Sequence, residues 1–370
     1  MDELYFSRLT NLITRFSTRQ FDAFLVSVPE NRYYLSGFYA DDGGPQETAG
    51  YLLIGTDKRF LITDGRYEIQ AKNEAPLYDI VIYKEKLSST VAEIIRDVGC
   101  EKVGFESHYM TFGMYSKLVE SIEKTEFRCK LVPTEDFVEN LRMIKDPTEI
   151  KAIETAIAKT ENVLVDVVSE IKEGATEKEI AFLLETGLKK SGAEKLAFDP
   201  IVASGPNGAL PHAKPTDRIL ARGDAVVIDF GGQFEHYCSD MTRTFFIGSV
   251  SKELRKMYKI VRQAQKLAIE SIKPGKLSKE IDKVARDYIS SKGYGNFFVH
   301  GLGHGVGLAV HEKPGINKRT DIKLEPGMVI TIEPGIYVQD IGGIRLEDMV
   351  LVTEDGCNVL NRNIFYYDDL

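Results

Sequence analysis

The sequence predicts an α/β amino-terminal domain followed by an α+β domain made of two similar halves about a pseudo-twofold axis. Three observations predict it. Strand-like and helical segments alternate through the first part, a strong helix start follows a short connection, and the second part repeats itself. In the first part, Ala23 to Val28, Tyr51 to Ile54 and Phe60 to Thr63 are apolar, β-branched runs that read as strands. Asp2 to Phe16, Thr90 to Val98 and Thr111 to Ile122 read as helices, and the alternation is that of an α/β layer fold. Ala40 to Glu47 holds Asp-Asp-Gly-Gly-Pro and is expected as loop. Val132-Pro133-Thr134 reads as a connection. It places the boundary between residues 128 and 142, with domains at 1–130 and 140–370.

The second part opens at Asp146-Pro147-Thr148-Glu149. Asp146 can cap, Pro147 suits the first helical position, and Glu149 can complete a capping box. Ile150, Ile153, Ile157, Leu164, Val167, Val168 and Ile171 then form a helical apolar stripe that Gly174 is expected to stop. The segment from Ile171 to Ile180 matches that from Ile272 to Ile281 at six of ten positions, an offset of 101. Each copy joins two helices. Each is followed by an apolar strand that starts at a glycine and reaches a carboxylate six residues on: Gly223 to Asp229, and Gly327 to Glu333, an offset of 104. Two agreeing offsets indicate a duplicated helix–helix–strand unit.

Length and composition fit this plan. The chain has 370 residues, enough for two or three domains, and its 43% apolar and 28% charged content excludes disordered and fibrous classes. A net charge of −9 argues against a general nucleic-acid or anionic-membrane binder. Cys100, Cys129, Cys238 and Cys357 are dispersed, with no CxxC pair, so neither a disulfide framework nor a cysteine zinc site is expected. The first residues lack a basic and apolar leader, and no apolar run reaches the ~18 residues that span a bilayer, so a cytoplasmic protein is expected.

The chemistry lies in carboxylates and histidines. Asp229 ends one apolar strand and Asp240 opens another. A hairpin reversing near Phe234-Glu235 would set them side by side, with Cβ atoms roughly 5 Å apart. In the second half Glu333 ends its strand and Glu347 lies on an expected strand from Ile344 to Val350. Four carboxylates about one axis cannot all stay ionised without a partner, and two divalent cations would balance them. Any one such acid is ordinarily an exposed strand end; four in matching contexts are not. His300, His304 and His311 fall within one glycine-rich segment, and His304 among those glycines suits a metal ligand. His212 sits on a Pro/Gly loop before the first acidic strand, whereas His108 and His236 read as ordinary surface or packing residues.

These motifs resemble the pita-bread metallopeptidases, the family of Xaa-Pro aminopeptidase, prolidase and methionine aminopeptidase. The resemblance rests on Ile228-Asp-Phe-Gly231, Ser239-Asp-Met-Thr-Arg-Thr244, the segment from His300 to Pro314, Thr331-Ile-Glu-Pro-Gly-Ile-Tyr337 and Gly343-Ile-Arg-Leu-Glu-Asp348. It extends to the Lys145-Asp-Pro-Thr-Glu-Ile150 helix start. The first part is similar to the creatinase-type amino-terminal domain through Asn31-Arg-Tyr-Tyr-Leu-Ser-Gly37, Thr63-Asp-Gly-Arg-Tyr67 and Val103-Gly-Phe-Glu106. Methionine aminopeptidases usually lack such a domain, so the resemblance implies the Xaa-Pro branch. It implies metal ligation by Asp229, Asp240, His304, Glu333 and Glu347. Asp240 and Glu347 would bridge two ions, Asp229 would bind one, and His304 with Glu333 the other. His212, His300 and His311 would surround the substrate, and Arg345 matches the family's basic residue near the metal carboxylates. A homodimer is also implied, with the Ala40 to Glu47 loop of one subunit bordering the other's active site.

Such a site would deliver hydroxide to the amide before proline, with Glu333 shuttling the proton and His212 and His311 steadying the carbonyl or oxyanion. Oxygen donors with one imidazole suit Mn²⁺, Co²⁺ or Zn²⁺, with Mn²⁺ preferred. A dipeptidase must also capture the free carboxylate of proline. Several family members carry Arg just after His-Glu-x-Pro, where this chain has Gly315. That departure favours an Xaa-Pro aminopeptidase. Xaa-Pro dipeptidase, or prolidase, is the alternative, with Lys313 or an amino-terminal arginine as the cation. A non-catalytic peptide-binding module is the alternative of another class, and retention of all five ligand positions speaks against it.

Overall fold

Six apolar runs of the first 134 residues pair into one mixed sheet. They are β1 (Ala23–Val26), β2 (Tyr51–Gly55), β3 (Arg59–Thr63), β4 (Asp79–Ile82), β5 (Lys102–Glu106) and β6 (Lys130–Thr134), in the order β4-β3-β2-β1-β5-β6. The computed structural model describes residues 2–19, 21–45, 47–362 and 365–368, in two units, Met1–Arg142 and Met143–Leu370. In the first unit β1 runs parallel to β5, and β5 parallel to β6. The helices Leu87–Val98 and Phe112–Lys124 precede β5 and β6 as crossovers. Their Val91, Ile95, Leu118 and Ile122 pack with Leu25, Leu53 and Val103 in one core.

Two details of this unit depart from expectation, and a third adds to it. The segment around Pro133 is not a connection but part of β6, and β6 is an edge strand, where a proline's missing N–H is tolerated. The strand expected to run to Val28 stops at Val26. The Glu106 carboxylate accepts from the Ser27 and Val28 amides at 2.5 and 2.7 Å, and the chain turns into a helix, Pro29–Ser36, with proline in its first turn. The described residues of the 40–47 segment, 40–45 and 47, are loop as expected, and the loop is clamped. Fully buried Arg32 donates to both Asp42 carboxylate oxygens at 3.0 and 3.1 Å, and to the Ala40 and Gly50 carbonyls at 2.9 Å.

The second unit is built twice. Helices Pro147–Val167 and Glu177–Lys190 precede β7 (Lys195–Leu196), β8 (Ile201–Ser204), β9 (Ala225–Phe230), β10 (Gly232–Phe234), β11 (Tyr237–Cys238) and β12 (Met241–Phe246). Helices Lys252–Ser271 and Ser278–Ser291 precede β13 (Gly303–Gly305), β14 (Glu312–Ile316), β15 (Val329–Ile332), β16 (Gly335–Val338), β17 (Gly342–Arg345), β18 (Asp348–Val352) and β19 (Cys357–Val359). The repeated sequence makes the same local bonds in both halves. Gly174 donates to the Leu220 carbonyl at 3.0 Å and Gly275 to that of Leu324 at 2.8 Å. Glu179 accepts from the Thr176 amide at 2.7 Å, and Glu280 from that of Leu277 at 2.8 Å.

The first helix has the capping box expected at Asp146 and Glu149. It ends at Val167 in a 3₁₀ turn, Val168–Glu170, before Gly174: the Ile171 amide donates to the Val168 carbonyl at 3.2 Å and not to that of Val167. One strand of each half lies centrally, β9 between β8 and β12, and β15 between β13 and β18. The halves meet where the Glu347 amide donates to the Thr242 carbonyl at 3.1 Å and that of Arg345 to the Thr244 hydroxyl at 3.2 Å. Among the described residues no helix is long and apolar enough to cross a membrane.

Close packing in the first unit gives a test. A Cβ on Gly104 of β5 would lie 2.7 Å from ring carbons of both Phe21 and Phe24. Gly104→Ala should therefore lower stability to urea by about 1–3 kcal/mol, the usual cost of overpacking. An unchanged unfolding midpoint would refute this packing.

Candidate metal centre

The first hairpin sets two of the acids. Asp229 on β9 pairs with Thr242 on β12, and Asp240 precedes Thr242 by two residues, so the three side chains share a face. Asp240 is thus diagonal to Asp229, not directly opposite. The chain reverses at Glu235-His236, both with positive φ, as expected near residues 234–235. Gly231 is required just beyond Asp229, because a Cβ there would overlap the Ser239 carbonyl.

In the second half Ile332 pairs with Asp348, so Glu333 leaves β15 as Glu347 enters β18. The expected single strand from Ile344 to Val350 is broken at Leu346-Glu347 into β17 and β18. The break has a cause. The Glu347 amide donates to Thr242, and its carbonyl accepts from Arg243 at 2.5 Å, so residue 347 is turned toward β12.

His304 on β13 completes the group. Its Nε2 lies 3.4 Å from Glu333 Oε1 and 3.5 Å from Asp240 Oδ2. Its Nδ1 faces the Gly305 carbonyl at 3.1 Å, which suits a neutral ring that donates there and leaves Nε2 as an acceptor. Burial, then the His311 ring, hold His304 down at about 4, so it is neutral at physiological pH. Asp240, His304 and Glu347 each offer a ligand atom within 4.8 Å of the others. These residues, with Asp229, Glu333, His212, His300, His311 and Arg345, line one cavity of about 1250 Å³.

Charge in this cavity is badly balanced by protein alone. Burial, then the neighbouring carboxylates beginning with Glu347, raise Asp240 well above its usual range. Glu347 is raised in the same way by burial and then by Glu333 and Asp229, while burial pushes Glu333 up to about 8. Arg345 donates to Asp229 Oδ2 at 2.6 Å, and among the described residues Asp229 Oδ1 is buried without a hydrogen-bond partner. An orphaned carboxylate oxygen, three acids forced toward protonation and a neutral imidazole are the donor set that divalent cations satisfy. The residues present fit such ions.

A second layer orients these groups. The Thr242 hydroxyl donates to Glu347 Oε2 at 2.7 Å and accepts from Arg345 Nε at 3.1 Å. Tyr337 accepts from Arg345 Nη1 and meets His300 Nε2, each at 2.9 Å. His311 packs edge-on against His304 with ring centroids 4.3 Å apart, and His212 stands exposed on its loop. His236 is not among the residues lining the cavity and stands 3.0 Å from Glu194, while His108 of the first unit stands 3.5 Å from Glu139. Sequence reasoning assigned no role to Thr242 or Tyr337. Thr242 was accessible to it, since strand parity puts it on the Asp240 face. Nothing in the spacing ties Tyr337 to His300.

Comparison with known proteins matches the same regions. Residues 151–354 match metallopeptidase family M24, and residues 8–144 match the creatinase/prolidase N-terminal domain. An Xaa-Pro dipeptidase of Pyrococcus furiosus is 40% identical over 96% of this chain and 97% of its own length. The structure of an Xaa-Pro dipeptidase from Bacillus anthracis superposes with a TM-score of 0.92 at 38% identity, covering 98% of this chain and 99% of that one. An X-Pro aminopeptidase from Thermotoga maritima superposes at 0.85 with 39% identity, over 95% and 97% of the two chains.

Buried Arg345 pairs with half-buried Asp229, and its loss would leave Asp229 with no hydrogen-bond partner for either oxygen among the described residues. In protein stripped by a chelator, Arg345→Met should cost about 3–5 kcal/mol of unfolding free energy, as for other broken buried pairs. Urea unfolding of the stripped variant measures it, and a loss near zero would contradict the burial and pairing described.

Proposed function

This chain belongs to metallopeptidase family M24, and we propose that it is an Xaa-Pro dipeptidase, cleaving a dipeptide before its C-terminal proline. The protein is a peptidase, not a non-catalytic binding module. What carries the dipeptidase reading is end-to-end similarity to two Xaa-Pro dipeptidases, from Pyrococcus furiosus and Bacillus anthracis. It takes precedence over the aminopeptidase drawn from Gly315. Xaa-Pro aminopeptidase stays as the second reading because the Thermotoga maritima X-Pro aminopeptidase is nearly as similar.

In this reading Asp229, Asp240, His304, Glu333 and Glu347 hold two divalent cations. When bound, these supply Lewis acidity and a water activated at neutral pH. Asp240 and Glu347, each crowded by Asp229 and Glu333, would be held ionised by such cations. Oxygen donors with one imidazole favour Mn²⁺, with Co²⁺ or Zn²⁺ as substitutes. Glu333 carries a proton toward the proline nitrogen, a secondary amine that must be protonated to leave. His311, exposed beside His304, donates a hydrogen bond to the substrate carbonyl, and His212 assists from the facing loop. His300, fixed by Tyr337, borders the bound peptide, and Arg345 keeps Asp229 in place. A homodimer belongs to the same reading. Phe182 and Val299, each 65% exposed beside the cavity, are large apolar side chains that a second copy would cover.

Two outcomes are expected. Chelator-treated protein should not hydrolyse Gly-Pro and should regain activity with Mn²⁺, and dipeptides should be turned over faster than Gly-Pro-Yaa tripeptides. A reversed preference, measured as kcat/KM, would establish the aminopeptidase instead. Separately, His311→Ala should keep its metal and fold but lose about 10²–10³ in turnover, the usual effect of removing one such donor. His304→Ala should lose metal affinity first. Metal content and kinetics of both variants decide this, and the opposite pattern would exchange the two roles.

A further inference from the structure

A dipeptide ending in proline presents a free carboxylate on the leaving side of the scissile bond, and a site that selects it needs a cation there. Three of the six lysines and arginines lining the cavity are already engaged. Arg345 pairs with Asp229 and Lys178 with Asp217 at 2.9 Å, and Arg286 grips both Asp282 oxygens at 2.7 and 2.8 Å. Lys214, Lys318 and Arg319 also line the cavity, and among the described residues their side chains have no hydrogen-bond or ion-pair partner. Lys313 is not among the lining residues.

Lys318 and Arg319 stand on one constructed turn. Strand β14 leads from His311 to Asn317, whose Oδ1 accepts from the Arg319 amide at 2.9 Å and the Thr320 hydroxyl at 3.1 Å. The Asn317 amide group also lies where a side chain on residue 315 would go. A Cβ on Gly315 would sit 2.7 Å from Asn317 Nδ2. The turn that leaves position 315 bare therefore presents two unpaired cations to the same cavity. Resting on the dipeptidase reading, we propose that Lys318 and Arg319 form the subsite that binds the substrate's free proline carboxylate.

The experiment uses manganese-loaded full-length protein with two substrates, Gly-Pro and Gly-Pro-amide, which lacks the carboxylate charge. For Lys318→Ala/Arg319→Ala, KM for Gly-Pro should rise about ten-fold or more, as expected for losing charge-assisted hydrogen bonds. The kcat for Gly-Pro should stay within about two-fold, KM for the amide should not move, and Arg319→Lys with Lys318 intact should retain most of the affinity. The subsite is overturned if both KM values rise together, if neither moves, or if Lys214→Ala alone produces the dipeptide-specific loss. A wild-type protein that cleaves tripeptides but neither of these substrates would overturn the dipeptidase reading, and the subsite with it.

Discussion

Four carboxylates facing one another, Asp240 and Glu347 buried and Asp229 and Glu333 half-buried, are the constraint around which the catalytic unit is organised. Two like charges about 4 Å apart cost about 4 kcal/mol even at the effective dielectric of a protein surface. Asp240, Glu333 and Glu347 all respond by shifting toward protonation, and Asp229 survives beside Arg345 with one oxygen unpartnered. Such an arrangement persists only if the backbone gives the acids no room to separate. Each is accordingly on a strand or at its end, and the strands are tied across the two halves by Thr242, Arg243 and Thr244.

The duplicated architecture makes that rigidity economical. Each half contributes a central strand whose last residues carry an acid, and a partner strand that carries another. The helix pairs behind them repeat the same glycine and glutamate bonds, so both central strands are seated alike. What differs between halves is functional. β13 takes the place beside β15 that β8 takes beside β9, but only β13 carries a histidine, and there Gly303 allows approach to the Thr331 carbonyl and His304 stands against Glu333.

Much of this was legible in the sequence because it is written as spacing. The two offsets exposed the duplication, and the acids that end apolar strands exposed the centre. The structure brings all the named acids and the histidines His212, His300, His304 and His311 to one cavity. What escaped depends on contacts that spacing does not show. Pro133 signals a break unless its strand is known to be an edge, and the apolar stripe to Ile171 reads as one helix although the Ile171 amide bonds back only to Val168. Likewise, Ile344 to Val350 reads as one strand until Thr242 and Arg243 pull Glu347 aside. At Gly315 the sequence shows only a bare position, and the fold shows that Asn317, two residues on, occupies the space beside it.

The arginine clamp in the amino-terminal unit has a thermodynamic meaning of its own. Arg32 gathers Ala40, Asp42 and Gly50 onto a single guanidinium, so the segment between them is closed like a ring without a covalent bond. Closing a loop removes chain entropy that grows only slowly with length. Residues added beyond Asp42 would therefore cost little, whereas one substitution at the knot would release the whole segment at once. The segment can vary in length and sequence while its two ends stay fixed, much as a reversible cross-link would hold them.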